Sequence, residues 1–140
     1  MRNLTMLTDL YQLTMMYGYF KNDMTRNEGV FDIFFRPRSN ITYTITAGLE
    51  SVIQYINNLH FSQEDIAYLR SLQLFDEAFL SYLSELRFTG DIYAMPEGTV
   101  AFPYEPLVRV KAPIMQAQLI ETAMLTFVNH QPPITAARAP

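Results

Sequence analysis

The chain has 140 residues, of which 49% are hydrophobic and 17% charged, a composition that is typical of a globular domain and not of a disordered chain. Its net charge of −4 argues against a nucleic-acid partner, and the absence of cysteine rules out a disulfide scaffold. We see neither a signal peptide nor an uncharged stretch of membrane-spanning length, so we expect a cytoplasmic protein with no membrane partner.

The N-terminal region predicts one helix followed by two strands. Thr8 is the predicted N-cap of a helix over residues 10–20, and Asp9 lies where the helix dipole favours a carboxylate. Strands are predicted over residues 30–36 and 41–45, and Pro37 ends the first because it cannot donate a ladder hydrogen bond. The predicted apolar faces are Leu10, Leu13, Tyr17 and Phe20 on the helix, and Phe31, Ile33 and Phe35 on the first strand.

Three short helices are predicted between residues 49 and 86. The second begins with a capping box formed by Ser62 and Asp65, and Asp76 is the predicted N-cap of the third. The helical spacing predicts two apolar stripes, which are Leu49, Val52, Ile53 and Ile56 on the first helix and Phe79, Leu80, Leu83 and Leu86 on the third.

The last part of the chain predicts short strands and then one long helix. The strands cover residues 91–94, 99–102 and 107–111, with proline-containing and glycine-containing turns between them. Pro113 is the predicted first residue of the helix, which ends near His130. The order of elements predicts an α+β fold, in which a short-stranded sheet is combined with several helices.

The predicted helix over residues 113–130 is apolar on nearly all sides. We therefore expect a partner subunit or a following domain to cover it. Its only formal charge is Glu121, for which we expect a cation or a backbone donor as partner, because a buried carboxylate must be paired or hydrogen-bonded.

The residues alone give no catalytic motif and no metal-ligand spacing. There is no glycine-rich phosphate loop and no nucleophile elbow, and we interpret His60 and His130 as surface or cap-adjacent residues. Asp9 and Tyr11 allow two interpretations. Either Asp9 interacts with the helix dipole and Tyr11 packs in the core, or both bind a flat heteroaromatic ligand at the helix start. Arg36 and Arg38 are either isolated surface arginines or a pair that grips phosphate.

Several blocks of the sequence resemble nicotinate phosphoribosyltransferases, in the order in which that family has them. The blocks are residues 8–15 (TDLYQLTM), 18–19 (GY), 30–36 (VFDIFFR), 47–50 (AGLE), 88–100 (FTGDIYAMPEGTV), 105–110 (EPLVRV), 118–122 (QLIET) and 129–131 (NHQ). The segment 132–138 departs from the family's usual pattern, which has a lysine there.

The resemblance implies an ATP-coupled reaction of nicotinate with phosphoribosyl pyrophosphate, which yields nicotinate mononucleotide and pyrophosphate for NAD salvage. It also implies a homodimer with sites built across the subunit interface. Residues 1–112 are then the N-terminal α+β domain, and residues 113–140 are an interdomain helix and the truncated start of an α/β barrel. Tyr11 is expected to stack on nicotinate in the neighbouring subunit's site, Asp9 to line that site, and Arg36 to approach the substrate phosphates.

By the same resemblance, the family's phosphorylatable histidine and main phosphate loops lie beyond residue 140. We therefore expect no catalytic residue, no metal site and no bound cofactor in this chain, and no activity from it alone. ATP and Mg²⁺ are expected for the complete enzyme. Two alternatives stay open: a relative that uses nicotinamide or quinolinate, and a non-catalytic dimerising or binding module that keeps the fold.

Overall fold

The computed structural model describes residues 3–37 and 41–130, and within them it has the predicted α+β architecture. The predictions for Arg38, for the side chain of His130 and for the segment 131–140 lie outside this description. The elements are α1 (Leu10–Lys21), β1 (Glu28–Ile33), β2 (Thr44–Ile45), α2 (Leu49–Asn57), α3 (Gln63–Ser71), α4 (Glu77–Glu85), β3 (Asp91–Ala94), β4 (Val100–Ala101), β5 (Val108–Pro113) and α5 (Ile114–His130). None of these helices is long and apolar enough to cross a membrane.

The strands form two antiparallel sheets. The larger has the order β1-β5-β3, with Phe31 and Ile92 both opposite Val110, and the smaller pairs β2 with β4. Alternate residues of β5 are buried and exposed, as expected for a sheet with one face in the core. On the exposed face, Arg109 forms two hydrogen bonds of 2.7 and 2.8 Å with the Asp32 carboxylate of the neighbouring strand.

Helix α5 packs on the inner face of the larger sheet and also contacts α1 and α2. Residues 115–120 are all buried, so the first half of α5 lies in the core of this domain. The expectation that a partner or a further domain must cover this helix is therefore wrong for its first half. The sheet and two helices of the same chain cover it, and Leu125 is the large apolar residue of α5 that remains exposed in the described part.

A second part of the core is an aromatic cluster in which α1 meets α4. Phe79 is fully buried, and the ring centroids of Tyr17, Phe20 and Phe75 lie 5.1, 5.5 and 5.3 Å from its own. These are the distances at which aromatic pairs stabilise a core beyond the area that they bury. At the edge of the cluster, Lys21 forms a 2.7 Å ion pair with Asp76, the N-cap of α4.

The predicted helix boundaries are confirmed where local side chains set them. Ser62 and Asp65 form a capping box, with each side chain bonded to the other residue's backbone N–H at 3.1 and 2.8 Å. Asp76 caps α4 through the Phe79 N–H at 2.9 Å. Pro113 is different: it is the last residue of β5, paired with Glu28, and α5 begins one residue later. The strand passes directly into the helix because sheet pairing holds Pro113.

Two members of the predicted apolar stripes are exposed instead of buried. Leu10 is 51% and Ile53 49% exposed, whereas Met16 and Tyr55 are buried in the same two helices. The spacing identified the correct helices but placed their buried faces up to one residue away. The remaining predicted stripe, on α4, is fully confirmed.

Candidate functional site

Helix α1 begins after Asp9, which takes the N-cap position with an extended backbone. Its side chain does not cap the helix, and its Oδ2 accepts a hydrogen bond from Thr122 Oγ1 of α5 at 3.1 Å. The N-cap predicted at Thr8 is wrong by one residue, because the Thr8 hydroxyl turns to α5 and donates to the Leu119 carbonyl at 3.4 Å. Asp9 is exposed, so its carboxylate lies at the surface where α1 meets α5.

Tyr11 is the second residue of α1 and is 54% exposed. Its hydroxyl accepts a hydrogen bond from Gln12 Nε2 at 2.9 Å. The interpretation that Tyr11 packs in the core is wrong, because more than half of its side chain is exposed. The ring is held at its hydroxyl end and is open over much of its surface, which is how a side chain is presented to a ligand or to another chain. Its role toward a ligand stays a prediction.

A hydrogen-bonded group of polar side chains lies beside Tyr11, between α1 and α5. Gln12 Nε2 donates to Glu121 Oε2 at 3.0 Å, and Gln118 Nε2 donates to the same oxygen at 3.3 Å. Gln118 Nε2 also donates to Gln12 Oε1. The partners of Glu121 are thus two neutral side-chain amides, whereas we expected a cation or a backbone donor.

The sequence prediction did not include Gln12 and Gln118. Each lies in an apolar run and is buried, Gln12 at 0% and Gln118 at 5% exposure. One signal was available: Gln118 and Glu121 are three residues apart, so they share a face of α5, and a buried carboxylate requires donors. No local pattern indicated that the second donor would come from a helix more than 100 residues earlier.

Arg36 is exposed and lies three residues after the end of β1. It lines an open cleft of 630 Å³, whose walls include Phe34, Met95, Glu97 and Asn129. The wall residues are largely apolar, with the charges of Arg36 and Glu97 among them. A guanidinium in such a position is suited to a phosphate or carboxylate group.

The structure does not bring Arg36 together with Asp9 and Tyr11 in one cleft. Asp9 and the Tyr11 network contact α5 at Thr122 and Glu121, whereas the Arg36 cleft reaches α5 at Asn129. Asn129 lies eight positions after Glu121 in the helix, which corresponds to about 12 Å along the helix axis. The predicted site residues therefore belong to two different surfaces of the described chain.

His60 lies in a hydrogen-bonded loop outside both surfaces. Its Nδ1 is 2.8 Å from the Asn58 carbonyl oxygen, and its backbone N–H donates to Thr5 Oγ1 at 3.0 Å. Within residues 3–37 and 41–130, no three His, Cys, Asp or Glu side chains are grouped so that they could hold a metal ion.

Comparison with known proteins gives the family of the chain. The sequence model of the nicotinate phosphoribosyltransferase (NAPRTase) N-terminal domain matches residues 6–129. The chain belongs to this family. It is 43% identical over 127 residues to the nicotinate phosphoribosyltransferase pncB2 of Mycobacterium tuberculosis, and 42% identical over 131 residues to the nicotinate phosphoribosyltransferase of Bacillus subtilis.

A solved structure agrees with this assignment. The crystal structure of human nicotinic acid phosphoribosyltransferase matches 89% of this chain with a TM-score of 0.81 at 34% identity. The chain spans about a quarter of these proteins: 27% of the Mycobacterium tuberculosis relative, 26% of the Bacillus subtilis relative and 26% of the human chain. The predicted family and α+β fold are confirmed, whereas the domain division at residue 112 stays a prediction.

Blocks that resemble the nicotinate phosphoribosyltransferase family in sequence are neighbours in space. The block 8–15 meets the block 118–122 through the hydrogen bonds of Gln12 with Gln118 and Glu121. The block 30–36 contains most of β1, and the block 105–110 contains the first half of β5, the strand with which β1 pairs. Four of these blocks therefore meet at the contact of α1 with α5 and in the larger sheet.

Proposed function

We propose that this chain supplies one face of the nicotinate-binding site of a nicotinate phosphoribosyltransferase. The reaction joins nicotinate to phosphoribosyl pyrophosphate, releases pyrophosphate and is coupled to ATP hydrolysis, in the cytoplasm. The observation that carries the proposal is Tyr11, an aromatic ring 54% exposed at the start of α1, with its hydroxyl fixed by Gln12 at 2.9 Å. Membership of the family supplies the identity of the ligand.

Tyr11 provides a flat surface for a pyridine ring. Stacking of two aromatic rings contributes roughly 0.5–1.5 kcal/mol beyond the area that they bury, which corresponds to a roughly 2- to 10-fold change in affinity. Asp9 lies two residues before Tyr11, is exposed and accepts from Thr122, so its carboxylate lines the same surface. We assign Tyr11 and Asp9 to substrate binding and assign no catalytic residue to this chain.

Arg36 is proposed to contact the phosphates of phosphoribosyl pyrophosphate. Its guanidinium is exposed in a cleft and suits bidentate bonding to phosphate. Because Arg36 and Tyr11 lie on different surfaces, we propose a homodimer in which Tyr11 and Asp9 complete the neighbouring subunit's site. ATP and Mg²⁺ act in the complete enzyme, and this chain holds neither of them itself.

The chain alone is expected to form no nicotinate mononucleotide, because its residues 3–37 and 41–130 bring together no phosphate-binding or acid–base machinery. The experiment incubates it with nicotinate, ATP and phosphoribosyl pyrophosphate and measures pyrophosphate against a heat-treated control. Activity should appear when the chain is fused in frame to the remaining part of the Bacillus subtilis relative. Turnover by the isolated chain would contradict the proposal.

In this fusion, Tyr11→Ala should raise the KM for nicotinate roughly 2- to 10-fold and leave the KM for phosphoribosyl pyrophosphate nearly unchanged. Arg36→Ala should show the opposite pattern. The matched controls are Tyr68→Ala, which removes a tyrosine that is 57% exposed on α3, and Arg26→Ala, which removes an exposed arginine. Both controls should leave both constants unchanged. Saturation by nicotinamide or quinolinate, and not by nicotinate, would support the alternative substrates.

The placement of Tyr11 in a neighbouring subunit's site has its own test. Fusion protein with Tyr11→Ala is mixed with fusion protein that is inactivated in its barrel. Mixed dimers contain one site with both intact parts, so part of the activity should again show the low KM for nicotinate of the unchanged fusion enzyme. If all activity keeps the raised KM although mixed dimers form, Tyr11 serves the site of its own subunit.

A further inference from the structure

The hydrogen bonds around Tyr11 leave no amide hydrogen of its two buried glutamine neighbours unused. The two hydrogens on Gln12 Nε2 go to Tyr11 OH at 2.9 Å and Glu121 Oε2 at 3.0 Å. Those on Gln118 Nε2 go to Gln12 Oε1 and to Glu121 Oε2 at 3.3 Å. A glutamine amide has two donor hydrogens on its nitrogen, so both nitrogens are fully satisfied.

Glu121 fixes the orientation of this arrangement. An ionised carboxylate only accepts hydrogen bonds, so both amide nitrogens must face it and neither amide can flip. With Gln12 held in this way, its second hydrogen points to the Tyr11 hydroxyl. Gln12 is fully buried and Gln118 is 5% exposed, so the bond between these two amides is shielded from water, whereas Glu121 is half-buried and Tyr11 is exposed.

We propose that Gln12, Gln118 and Glu121 are positioning residues that hold the exposed Tyr11 ring in its binding orientation before a ligand arrives. The proposal rests on the function proposed above for Tyr11. An aromatic side chain that is ordered in advance loses less conformational freedom when a pyridine ring stacks on it. Glu121 and Gln118 orient the Gln12 amide, and the Gln12 amide in turn orients the Tyr11 hydroxyl.

The chain contains a matched control for Gln118. Gln116 lies two residues earlier in α5, is 7% exposed and also uses both ends of its amide. Its Oε1 accepts from the Thr89 N–H at 2.8 Å, and its Nε2 donates to Thr89 Oγ1 at 3.1 Å. Methionine at either position keeps the approximate volume of glutamine and removes the amide. Only the change at Gln118 should reach Tyr11.

The first measurement is the ¹³Cζ NMR resonance of Tyr11 in the full chain, identified by its loss in Tyr11→Phe. Gln118→Met should move this resonance toward the position of a solvent-exposed tyrosine, and Gln116→Met should leave it in place. Circular dichroism checks that both variants are folded. An unmoved resonance in folded Gln118→Met overturns the proposal. If Gln118→Met does not fold, Glu121→Gln takes its place, since it keeps the side-chain shape and removes the charge that orients the amides.

The second measurement uses the fusion enzyme and separates this proposal from the proposed function. Gln118→Met should raise the KM for nicotinate roughly 2- to 10-fold with little change in kcat. In a Tyr11→Phe background, which lacks the hydroxyl, Gln118→Met should add no further change in KM. If Tyr11→Ala leaves the KM for nicotinate unchanged, the proposed function fails. If Tyr11→Ala raises it but Gln118→Met does not, only the positioning proposal fails.

Discussion

The two halves of α1 contact the rest of the molecule in different ways. Its C-terminal half contributes Tyr17 and Phe20 to the aromatic cluster around Phe79 on α4. Its N-terminal half contributes Gln12 to a polar network with α5, and Tyr11 stays exposed. Apolar burial stabilises a fold without strict geometry, whereas a satisfied polar network fixes side-chain orientation and adds less net stability. The comparison indicates that one end of α1 stabilises the domain, whereas the other end carries the exposed ring that we propose binds the substrate.

The largest effect should come from the aromatic half. Phe79 is fully buried among three other rings, so Phe79→Ala leaves a cavity and should lower the free energy of unfolding by about 3–5 kcal/mol. Urea unfolding of the chain measures this, with Tyr68→Ala on exposed α3 surface as the control. A loss no larger than that of the control would mean that the cluster does not stabilise the domain.

Gly18 lies in the C-terminal half of α1, and its replacement by alanine should give a moderate gain in stability. A Cβ built at this position meets no atom within 4 Å, and glycine in a helix interior is less favourable than alanine. Gly18→Ala should therefore raise the free energy of unfolding by about 0.5–1 kcal/mol. Gly90→Ala is the opposite case, because its Cβ would lie 2.4 Å from the Ala112 Cβ. A Gly90→Ala variant that is more stable than the unchanged chain, or a Gly18→Ala variant that is less stable, would contradict this interpretation of the packing.

The aromatic contact between the C-terminal half of α1 and α4 could be predicted from sequence. Residue spacing on α4 gave its buried stripe, and Ser62 and Asp76 gave two helix starts, because each of these features depends on residues within one or two turns. The α+β fold class followed from the order of elements. The start of α5 was predicted one residue too early, at Pro113, because it depends on sheet pairing. Pairing with β1 keeps Pro113 in strand β5.

The polar contact between the N-terminal half of α1 and α5 could be predicted only in part. Asp9, Tyr11 and Arg36 were candidates because of their positions, and the resemblance to a family supplied their specific roles, which stay predictions. The residues that hold Tyr11 were not predicted, since the bond of Gln12 with Gln118 joins positions that are 106 residues apart. The cover of α5 was likewise expected from a partner subunit or a following domain, because periodicity shows that a helix is buried but not what buries it.

Tyr11→Ala should have a smaller effect on stability than either change above. Tyr11 is already 54% exposed, and water at the vacated surface position accepts the hydrogen bond that Gln12 loses. We expect the free energy of unfolding to change by less than about 0.5 kcal/mol, as for most surface substitutions. Urea unfolding in parallel with Phe79→Ala measures the contrast. A loss of several kcal/mol at Tyr11 would show that this end of α1 also has a mainly structural role.

The smallest effect should be a pH dependence at the C-terminal end of α1. The hydrogen bond from Lys21 at 2.7 Å, together with the Phe79 N–H at 2.9 Å, lowers the pKa of the Asp76 carboxyl below its ordinary value of 3.8. When the pH falls, the unfolded chain therefore takes up this proton before the folded chain does. The contribution of Asp76 is present above about pH 4 and is lost as the pH falls through the folded pKa.

Asp76→Asn tests this dependence because asparagine is also a good N-cap but has no charge to titrate. The free energy of unfolding should fall less steeply between about pH 4 and pH 2 in this variant than in the unchanged chain. The difference should shrink in high salt, because the pair with Lys21 is exposed and screened. It should also shrink when Lys21→Met is present. A slope that Asp76→Asn leaves unchanged would mean that other carboxylates determine the acid stability, and that the ion pair between α1 and α4 contributes nothing measurable.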